Sequence, residues 1–221
     1  MRTLALPDEP ATIEAYADLV QAAMRDLTDV VLVGDSFGAV VALSVALRRP
    51  GNLLGLVLSG GFAADPVTEP LTRAKVRAAR FLPGPLYRQF VLRLHAAALA
   101  SPHDAEGEQP WSRDDSRRLF LDHTSHGAYM RRTRAAFDAD VRDRLQLIAV
   151  PTLILTPSHD QLIGPDAARQ LRDGIATATE VVLPKTGHMF RFTHPVTYAT
   201  AIRDFLDQHD ITGPALAGAA R

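Results

Sequence analysis

Short apolar runs rich in Val, Leu and Ile recur along the chain, and segments in which apolar residues have helical spacing separate them. This alternation predicts βαβ units, in which buried parallel strands are covered by helices. The predicted strands are residues 3–6, 29–34, 53–59, 151–156 and 180–183. The sequence therefore predicts an α/β fold, with a mostly parallel sheet of about five strands flanked by helices.

Helical spacing of apolar residues marks the segments around the second predicted strand. The residues that share one helical face near the start of the chain are Ile13, Tyr16, Ala17, Val20 and Met24. Asp8-Glu9-Pro10 precedes them and is typical of a helix start. This helix is predicted to end at about residue 26, and further helices are predicted over residues 37–49 and about 196–208.

Strand signals stop between residues 66 and 146, where only helical segments are predicted. Pro83-Gly84-Pro85, the polar stretch 101–110 and Gly127 divide these segments. The predicted organisation is a core of residues 1–65 and 147–210, an inserted helical cap of residues 66–146, and a flexible tail of residues 211–221.

The strand at residues 29–34 runs directly into Gly34-Asp35-Ser36-Phe37-Gly38 and a helix of small residues. Gly-x-Ser-x-Gly between a strand and a helix is typical of a nucleophile elbow, where the serine stands exposed beside helix N-terminal amides. We expect the tight turn and close backbone packing to require both glycines. A Gly-rich turn of an ordinary βα unit is the alternative.

A serine hydroxyl needs an adjacent base to act as a nucleophile, and the base needs an orienting acid. The loops after the last two predicted strands contain Asp160 and His188. Loops that follow parallel strands open on the same edge of the sheet, so Ser36, Asp160 and His188 are predicted to converge. His159 is an alternative base, but a Gly-His pair after the last strand favours His188.

These motifs, in this order, resemble the α/β-hydrolase fold family, and specifically its members with a helical cap. The resembling stretches are residues 34–38, residues 150–154 leading to Asp160, and Gly187-His188 leading to His194-Pro195. The resemblance implies Ser36 as nucleophile, His188 as general base and acid, and Asp160 as orienting carboxylate. It also implies the Phe37 amide as an oxyanion donor.

The chain departs from that family before the elbow, because only about 28 residues precede the elbow strand. The family has further strands there, and a loop after one of them, often containing His-Gly, supplies the second oxyanion amide. Either the chain is incomplete at its start, or the strand at residues 3–6 pairs with the elbow strand. In the second case residues 7–10 lie near the oxyanion and are poor donors, so we expect a weak or inactive esterase.

Composition narrows the function classes. A net charge of −1 argues against nucleic acid or an anionic membrane as the main partner. The absence of Cys excludes disulfides, thiolate nucleophiles and Cys-ligated zinc. The first residues do not form a signal peptide and no apolar run reaches about 18 residues, so the sequence predicts a soluble, cytoplasmic protein.

Four residues are candidates for substrate binding, namely Asp35, Met189, Phe90 and Tyr129. The aromatic side chains are equally suited to packing helices together. Asp35 as an aspartate nucleophile is a weaker interpretation. The spacing of Asp122, His123 and His126 could place them on one helix face to hold a metal. The positive charge of residues 131–134 could bind an anionic substrate. A solvated cap surface is favoured for both, so no metal or cofactor is predicted.

The sequence thus predicts a serine hydrolase that cleaves a small or medium carboxylic ester or thioester through an acyl-enzyme on Ser36. One alternative is a non-catalytic, ligand-binding relative with an incomplete oxyanion hole. Others are an acyltransferase, a C–C hydrolase or a lyase that uses the same three residues, because fold does not choose among them. If the chain is complete, an unpaired sheet edge favours a dimer.

Overall fold

The computed structural model describes residues 2–67, 69–79 and 81–211. Its sheet has four parallel strands in the order β1-β2-β3-β4, which is also their order along the chain. The strands are β1 (Val30–Asp35), β2 (Leu53–Ser59), β3 (Thr152–Pro157) and β4 (Ala178–Leu183). This confirms the predicted α/β fold with a parallel sheet.

The predicted count of about five strands is too high, because residues 3–6 form no strand. The end of this segment and the residues just after it are bonded to arginine side chains instead. Nη2 of Arg132 donates to the carbonyl of Leu6 at 2.6 Å, and Nε of Arg131 donates to the carbonyl of Asp8 at 2.5 Å. The arginines that were predicted to form a solvated face thus hold the start of the chain.

The described residues form ten α-helices. In chain order they are α1 (Ile13–Met24), α2 (Phe37–Leu47), α3 (Pro70–Ala79), α4 (Gly84–Tyr87), α5 (Arg93–Leu99), α6 (Arg113–His123), α7 (His126–Asp138), α8 (Pro165–Gly174), α9 (Phe190–Thr193) and α10 (Pro195–Gln208). A π-helical turn, Arg88–Leu92, joins α4 to α5, and 3₁₀ turns cover Pro102–Glu106 and Arg142–Leu147. None of the helices in this described part is both long and apolar enough to cross a membrane.

The first helix begins later than the Asp8-Glu9-Pro10 signal predicts. Thr12 is its N-cap, and the Thr12 side chain accepts a hydrogen bond from the amide of Ala15 at 3.2 Å. A threonine oxygen that satisfies a first-turn amide fixes the helix start, so the acidic residues and proline lie before it. The apolar face predicted for this helix is buried.

Two apolar clusters enclose the sheet. The larger cluster contains the buried faces of α1, α2 and α8, and the smaller one joins β2, β3 and β4 to α10. Eight of the eleven residues of α2 are buried, which places this helix between the sheet and α1. The helix that starts at the elbow is therefore fixed on several sides.

Where the structure describes the chain between β2 and β3, the elements are helical, as predicted, apart from one isolated bridge between Ala64 and Asp140. We call residues 66–146 the helical insertion. Of the predicted tail, only Ile211 is described, and its amide donates to the carbonyl of Leu206 at 2.9 Å. Residues 212–221 lie outside the described part of the chain.

Candidate active site

The elbow places Ser36 between β1 and α2 in a conformation that few side chains adopt. Ser36 has φ = 52°, and its amide donates to the carbonyl of Ser59 on β2 at 2.8 Å. A non-glycine residue with positive φ is strained and persists only where its surroundings impose it. The hydroxyl is thereby held at the carboxyl edge of the sheet.

The two glycines of the motif have different surroundings. A Cβ added to Gly34 would lie 2.5 Å from the carbonyl oxygen of Gly38 and 2.7 Å from Cα of Ala39, so this position requires glycine. A Cβ added to Gly38 would meet nothing within 4 Å among the described residues. The expectation that packing requires both glycines is therefore wrong for Gly38.

Ser36, His188 and Asp160 lie in one chain of hydrogen bonds. Nε2 of His188 is 2.9 Å from Oγ of Ser36, and Nδ1 of His188 is 2.7 Å from Oδ2 of Asp160. The three residues follow β1, β3 and β4, and these parallel strands bring them to one edge. Oδ1 of Asp160 accepts from the amides of Leu162 and Ile163, which fixes the carboxylate.

The imidazole and its carboxylate partner are shielded from water. The side chains of His188 and Asp160 are only 5% and 4% exposed. Burial lowers the pKa of His188, but the hydrogen bond and charge of Asp160 outweigh it, so the pKa is raised above the ordinary value for histidine. The contact with Asp160 thus favours the protonated form of the imidazole.

Phe37, the predicted oxyanion donor, lies at the N-terminus of α2, directly after Ser36. Phe37 is the first residue of α2, so its N–H has no acceptor within the helix. A free first-turn amide and the positive end of the helix dipole both favour a negative charge. The Phe37 ring packs edge-on against Tyr16, with the centroids 5.3 Å apart.

Asp35 forms an ion pair with Arg191, a residue that sequence reasoning did not select. Burial raises the pKa of the Asp35 carboxyl, and Arg191 acts in the opposite direction. Nε2 of His188 is hydrogen-bonded to Oγ of Ser36 and not to Asp35, which favours the serine over Asp35 as the nucleophile. His159, the alternative base, is bonded to Oγ of Ser158.

The other predicted substrate-binding residues have different environments. Met189 follows His188 directly and is buried. Phe90 is 56% exposed on the surface of the helical insertion. Tyr129 packs against Phe120 and His95, and burial raises its pKa to about 12. Met189 is therefore the one of these three that lies directly beside the candidate triad in the chain, and Phe90 and Tyr129 belong to the helical insertion.

His95 on α5 was missed in the sequence. Its ring lies 4.9 Å from the centroid of Phe120 and 5.1 Å from that of Tyr129. Burial, and to a smaller extent the charge of His188, lowers the pKa of His95 to about 4, so the ring is neutral at pH 7. The helical insertion therefore brings a neutral imidazole within electrostatic reach of His188.

One segment of the helical insertion is bonded to the elements that follow His188. The carboxylate of Glu108 accepts from the amides of Val196 and Thr197, at 2.6 and 3.0 Å, at the start of α10. The amide of Gln109 donates to the carbonyl of Thr193 at 3.0 Å. These contacts join the insertion to the candidate site, and no motif in the sequence indicates them.

A second set of contacts packs the same segment on the two loops of the site. His103 lies against His159, with the ring centroids 4.3 Å apart. A Cβ added to Gly187 would lie 2.3 Å from Cβ of Ser101, so the backbones approach closely next to His188. Among the described residues, Asp122, His123 and His126 belong to no group of three or more side chains that could hold a metal ion.

The chain is similar to known hydrolases over most of its length. A pimeloyl-[acyl-carrier protein] methyl ester esterase of Neisseria meningitidis is 29% identical over 220 residues, which cover 95% of this chain and 67% of that protein. A putative carbamate hydrolase, RutD, of Pseudomonas syringae is 27% identical over 79% of this chain and 66% of its own length. The chain thus spans about two thirds of these relatives.

Solved structures agree with the fold described above. An esterase from Thermogutta terrifontis matches with a TM-score of 0.73 at 25% identity, over 93% of this chain and 75% of that one. The model of the alpha/beta hydrolase family matches residues 4–201. A match of this extent, together with the strand order and the elbow, shows that the chain belongs to the alpha/beta hydrolase family.

Proposed function

We propose that this protein is a serine hydrolase that cleaves a small or medium carboxylic ester or thioester through an acyl-enzyme on Ser36. The observation that carries the proposal is the hydrogen-bond chain from Oγ of Ser36 through His188 to Asp160. The names of the relatives, which include esterases and a carbamate hydrolase, support a hydrolase of ester-like substrates.

Each side chain has a role that its contacts support. Nε2 of His188 takes the proton of Ser36 as Oγ attacks the substrate carbonyl, and Asp160 holds the ring so that Nδ1 keeps its proton. His188 then protonates the leaving group. Water repeats the sequence on the acyl-enzyme and restores Ser36. In this scheme the attacking and proton-transferring groups are the protein's own side chains and water.

The tetrahedral oxyanion would lie against the free amide of Phe37. A preorganised donor at this point contributes on the order of 10²–10³ in rate, because it stabilises charge that develops only in the transition state. The position of Phe37 at the start of α2 supports this role.

The helical insertion, residues 66–146, would act as a cap that shapes the acyl site. Two observations support this role. Glu108 and Gln109 are hydrogen-bonded to the elements after His188. The pKa of His95 on α5 is lowered by burial and, to a smaller extent, by the charge of His188. A cap joined to the chemical site by one segment can select substrates without carrying the reacting groups.

The experiment is hydrolysis of p-nitrophenyl esters of graded length, from acetate to octanoate, by the protein and its Ser36→Ala variant. We expect kcat/KM of the variant to fall by at least about 10⁴-fold, because no other group attacks the carbonyl. A fluorophosphonate probe should label the protein but not the variant. Added alcohols or amines divert the acyl group only if acyl transfer competes with hydrolysis.

Ser158→Ala is the matched control, because Ser158 is an exposed serine beside the site that is bonded to His159 and not to His188. This variant should keep full labelling and turnover. Hydrolysis that survives in folded Ser36→Ala, or a folded parent protein that neither reacts with the probe nor cleaves any ester, would overturn the proposal. The second result favours the non-catalytic, ligand-binding alternative.

A further inference from the structure

Asp35 and Arg191 form an ion pair at the rim of the candidate active site. Asp35 is the last residue of β1, directly before Ser36, and Arg191 lies in α9, three residues after His188. The two side chains join positions 156 residues apart in the chain. The ion pair therefore links the segment that carries the candidate nucleophile to the segment that carries the imidazole.

Aromatic rings hold the guanidinium of Arg191 on a second side. Its Cζ lies 4.5 Å from the ring centroid of Phe192, and Phe192 stacks on Trp111 with 5.1 Å between centroids and 18° between planes. The indole of Trp111 donates to Oγ of Ser116 at 2.7 Å, and Ser116 is fully buried. The charge that meets Asp35 therefore has a defined position.

We propose that Asp35 and Arg191 are positioning residues. Their ion pair holds Ser36 and His188 at a fixed position relative to each other and balances the charge around the imidazole. The proposal rests on the proposed function, because it concerns the same serine and histidine. The 2.9 Å between Nε2 of His188 and Oγ of Ser36 is sensitive to their relative position, since a displacement of about 1 Å breaks a hydrogen bond.

Four charged or titratable groups face His188 from the elements packed around it. Burial lowers the pKa of His188, whereas Asp160 after β3 and Asp35 at the end of β1 raise it. Arg191 on α9 lowers it. His95 on α5 is neutral at pH 7 because burial lowers its pKa to about 4, so it adds no charge there. Asp35 and Arg191 thus act on the imidazole in opposite directions.

The test measures the acid limb of the pH profile of kcat/KM for a p-nitrophenyl ester, together with an NMR titration of the His188 ring. Asp35→Asn leaves the charge of Arg191 unopposed, so both midpoints should fall by about 0.5 pH unit. Arg191→Gln removes the opposing charge, so both midpoints should rise by about the same amount. The double variant should lie between the two single variants.

A conservative variant separates charge from geometry. Arg191→Lys keeps the positive charge but lacks the planar guanidinium, so the acid limb should move by less than about 0.2 pH unit while kcat falls about tenfold at constant KM. Asp18→Asn is the matched control, because Asp18 pairs with Arg48 at the opposite end of α2 from Ser36. This change should alter neither the limb nor kcat.

The proposal is overturned if the midpoints for Asp35→Asn are equal to or higher than those of the unaltered protein. It is also overturned if the midpoints for Arg191→Gln are lower than those of the unaltered protein. His188→Gln identifies the ring signals, so the titration needs no turnover. If the midpoints move as stated but no ester is cleaved, the proposed function fails and the charge balance stands. If hydrolysis depends on Ser36 while the midpoints stay in place, this inference fails and the hydrolase stands.

Discussion

The sheet edge that carries Ser36, Asp160 and His188 and the helical insertion beside it are packed very differently. Helix α2, which follows Ser36, has eight of its eleven residues buried, whereas α3 in the insertion has none. Exposed apolar side chains are frequent in the insertion, as at Leu71, Leu86 and Leu94, which are 60%, 46% and 71% exposed.

Under the proposed function, this difference would separate two tasks. Proton transfer requires fixed distances between the reacting groups, and the dense sheet edge supplies them. A sparsely buried region opens at a lower free-energy cost and tolerates sequence change, which suits the selection of substrates. We therefore expect substitutions at the sheet edge to abolish activity or folding, and equivalent substitutions in the insertion to have smaller effects.

The largest effect is expected for Asp160→Asn. The asparagine amide lacks the negative charge that keeps the proton on Nδ1 of His188, so kcat should fall by about 10⁴-fold with the fold intact. Steady-state kinetics with a p-nitrophenyl ester measure the fall. Asp138→Asn, at the exposed C-terminal end of α7 in the insertion, is the control and should lose less than about twofold. A similar loss in both variants would contradict the division of tasks.

The two elbow glycines should differ in stability. Gly34→Ala places a methyl group 2.5 Å from the carbonyl oxygen of Gly38, so the free energy of unfolding in urea should drop by about 3 kcal/mol. Gly38→Ala enters open space in a helix, so it should be neutral or stabilising by up to about 1 kcal/mol. Equal destabilisation in both variants would show that the described packing around Gly38 is wrong.

Two leucines test whether the insertion is packed on one side only. Leu92 is fully buried, so Leu92→Ala should lower the free energy of unfolding by about 2–4 kcal/mol. Leu94 is two residues further on and 71% exposed, so Leu94→Ala should change it by less than about 0.5 kcal/mol. Urea unfolding measures both. A large fall in the free energy of unfolding for Leu94→Ala would mean that another part of the protein or a partner covers this face of α5.

The smallest effect is expected where the two regions meet. Glu108→Gln keeps the shape of the side chain but weakens its bonds to the start of α10, because a neutral amide is a poorer acceptor for helix amides. The Tm should fall by about 3 °C, and KM should change more than kcat. Glu106→Gln, in the neighbouring 3₁₀ turn, is the matched control. A larger change in kcat than in KM would place Glu108 in the chemistry rather than in the junction.

Apolar periodicity predicted that the insertion is helical but not which of its residues are buried. Leu86, Phe90 and Leu94 are each four residues apart, which is α-helical spacing, whereas Tyr87 and Leu92 are five residues apart. The structure buries Tyr87 and Leu92 and leaves the first set exposed. The π-helical turn Arg88–Leu92 brings residues that are five apart toward one face, so α-helical spacing does not predict this burial.

The sequence by itself determined the features that depend on neighbouring residues: the buried strands, the helices and the elbow that raises Ser36 out of β1. It also determined that Ser36, Asp160 and His188 meet, because parallel strands place the loops that follow them on one edge. These properties come from local backbone geometry and the periods of strand and helix.

Only the tertiary structure decided the contacts between distant side chains. Arg131 and Arg132 of α7 donate to the carbonyls of Asp8 and Leu6 near the start of the chain. Glu108 is bonded to the start of α10, and Arg191 pairs with Asp35. Long, flexible side chains form such contacts wherever the folded backbone brings suitable partners within reach, and no spacing along the chain encodes that proximity.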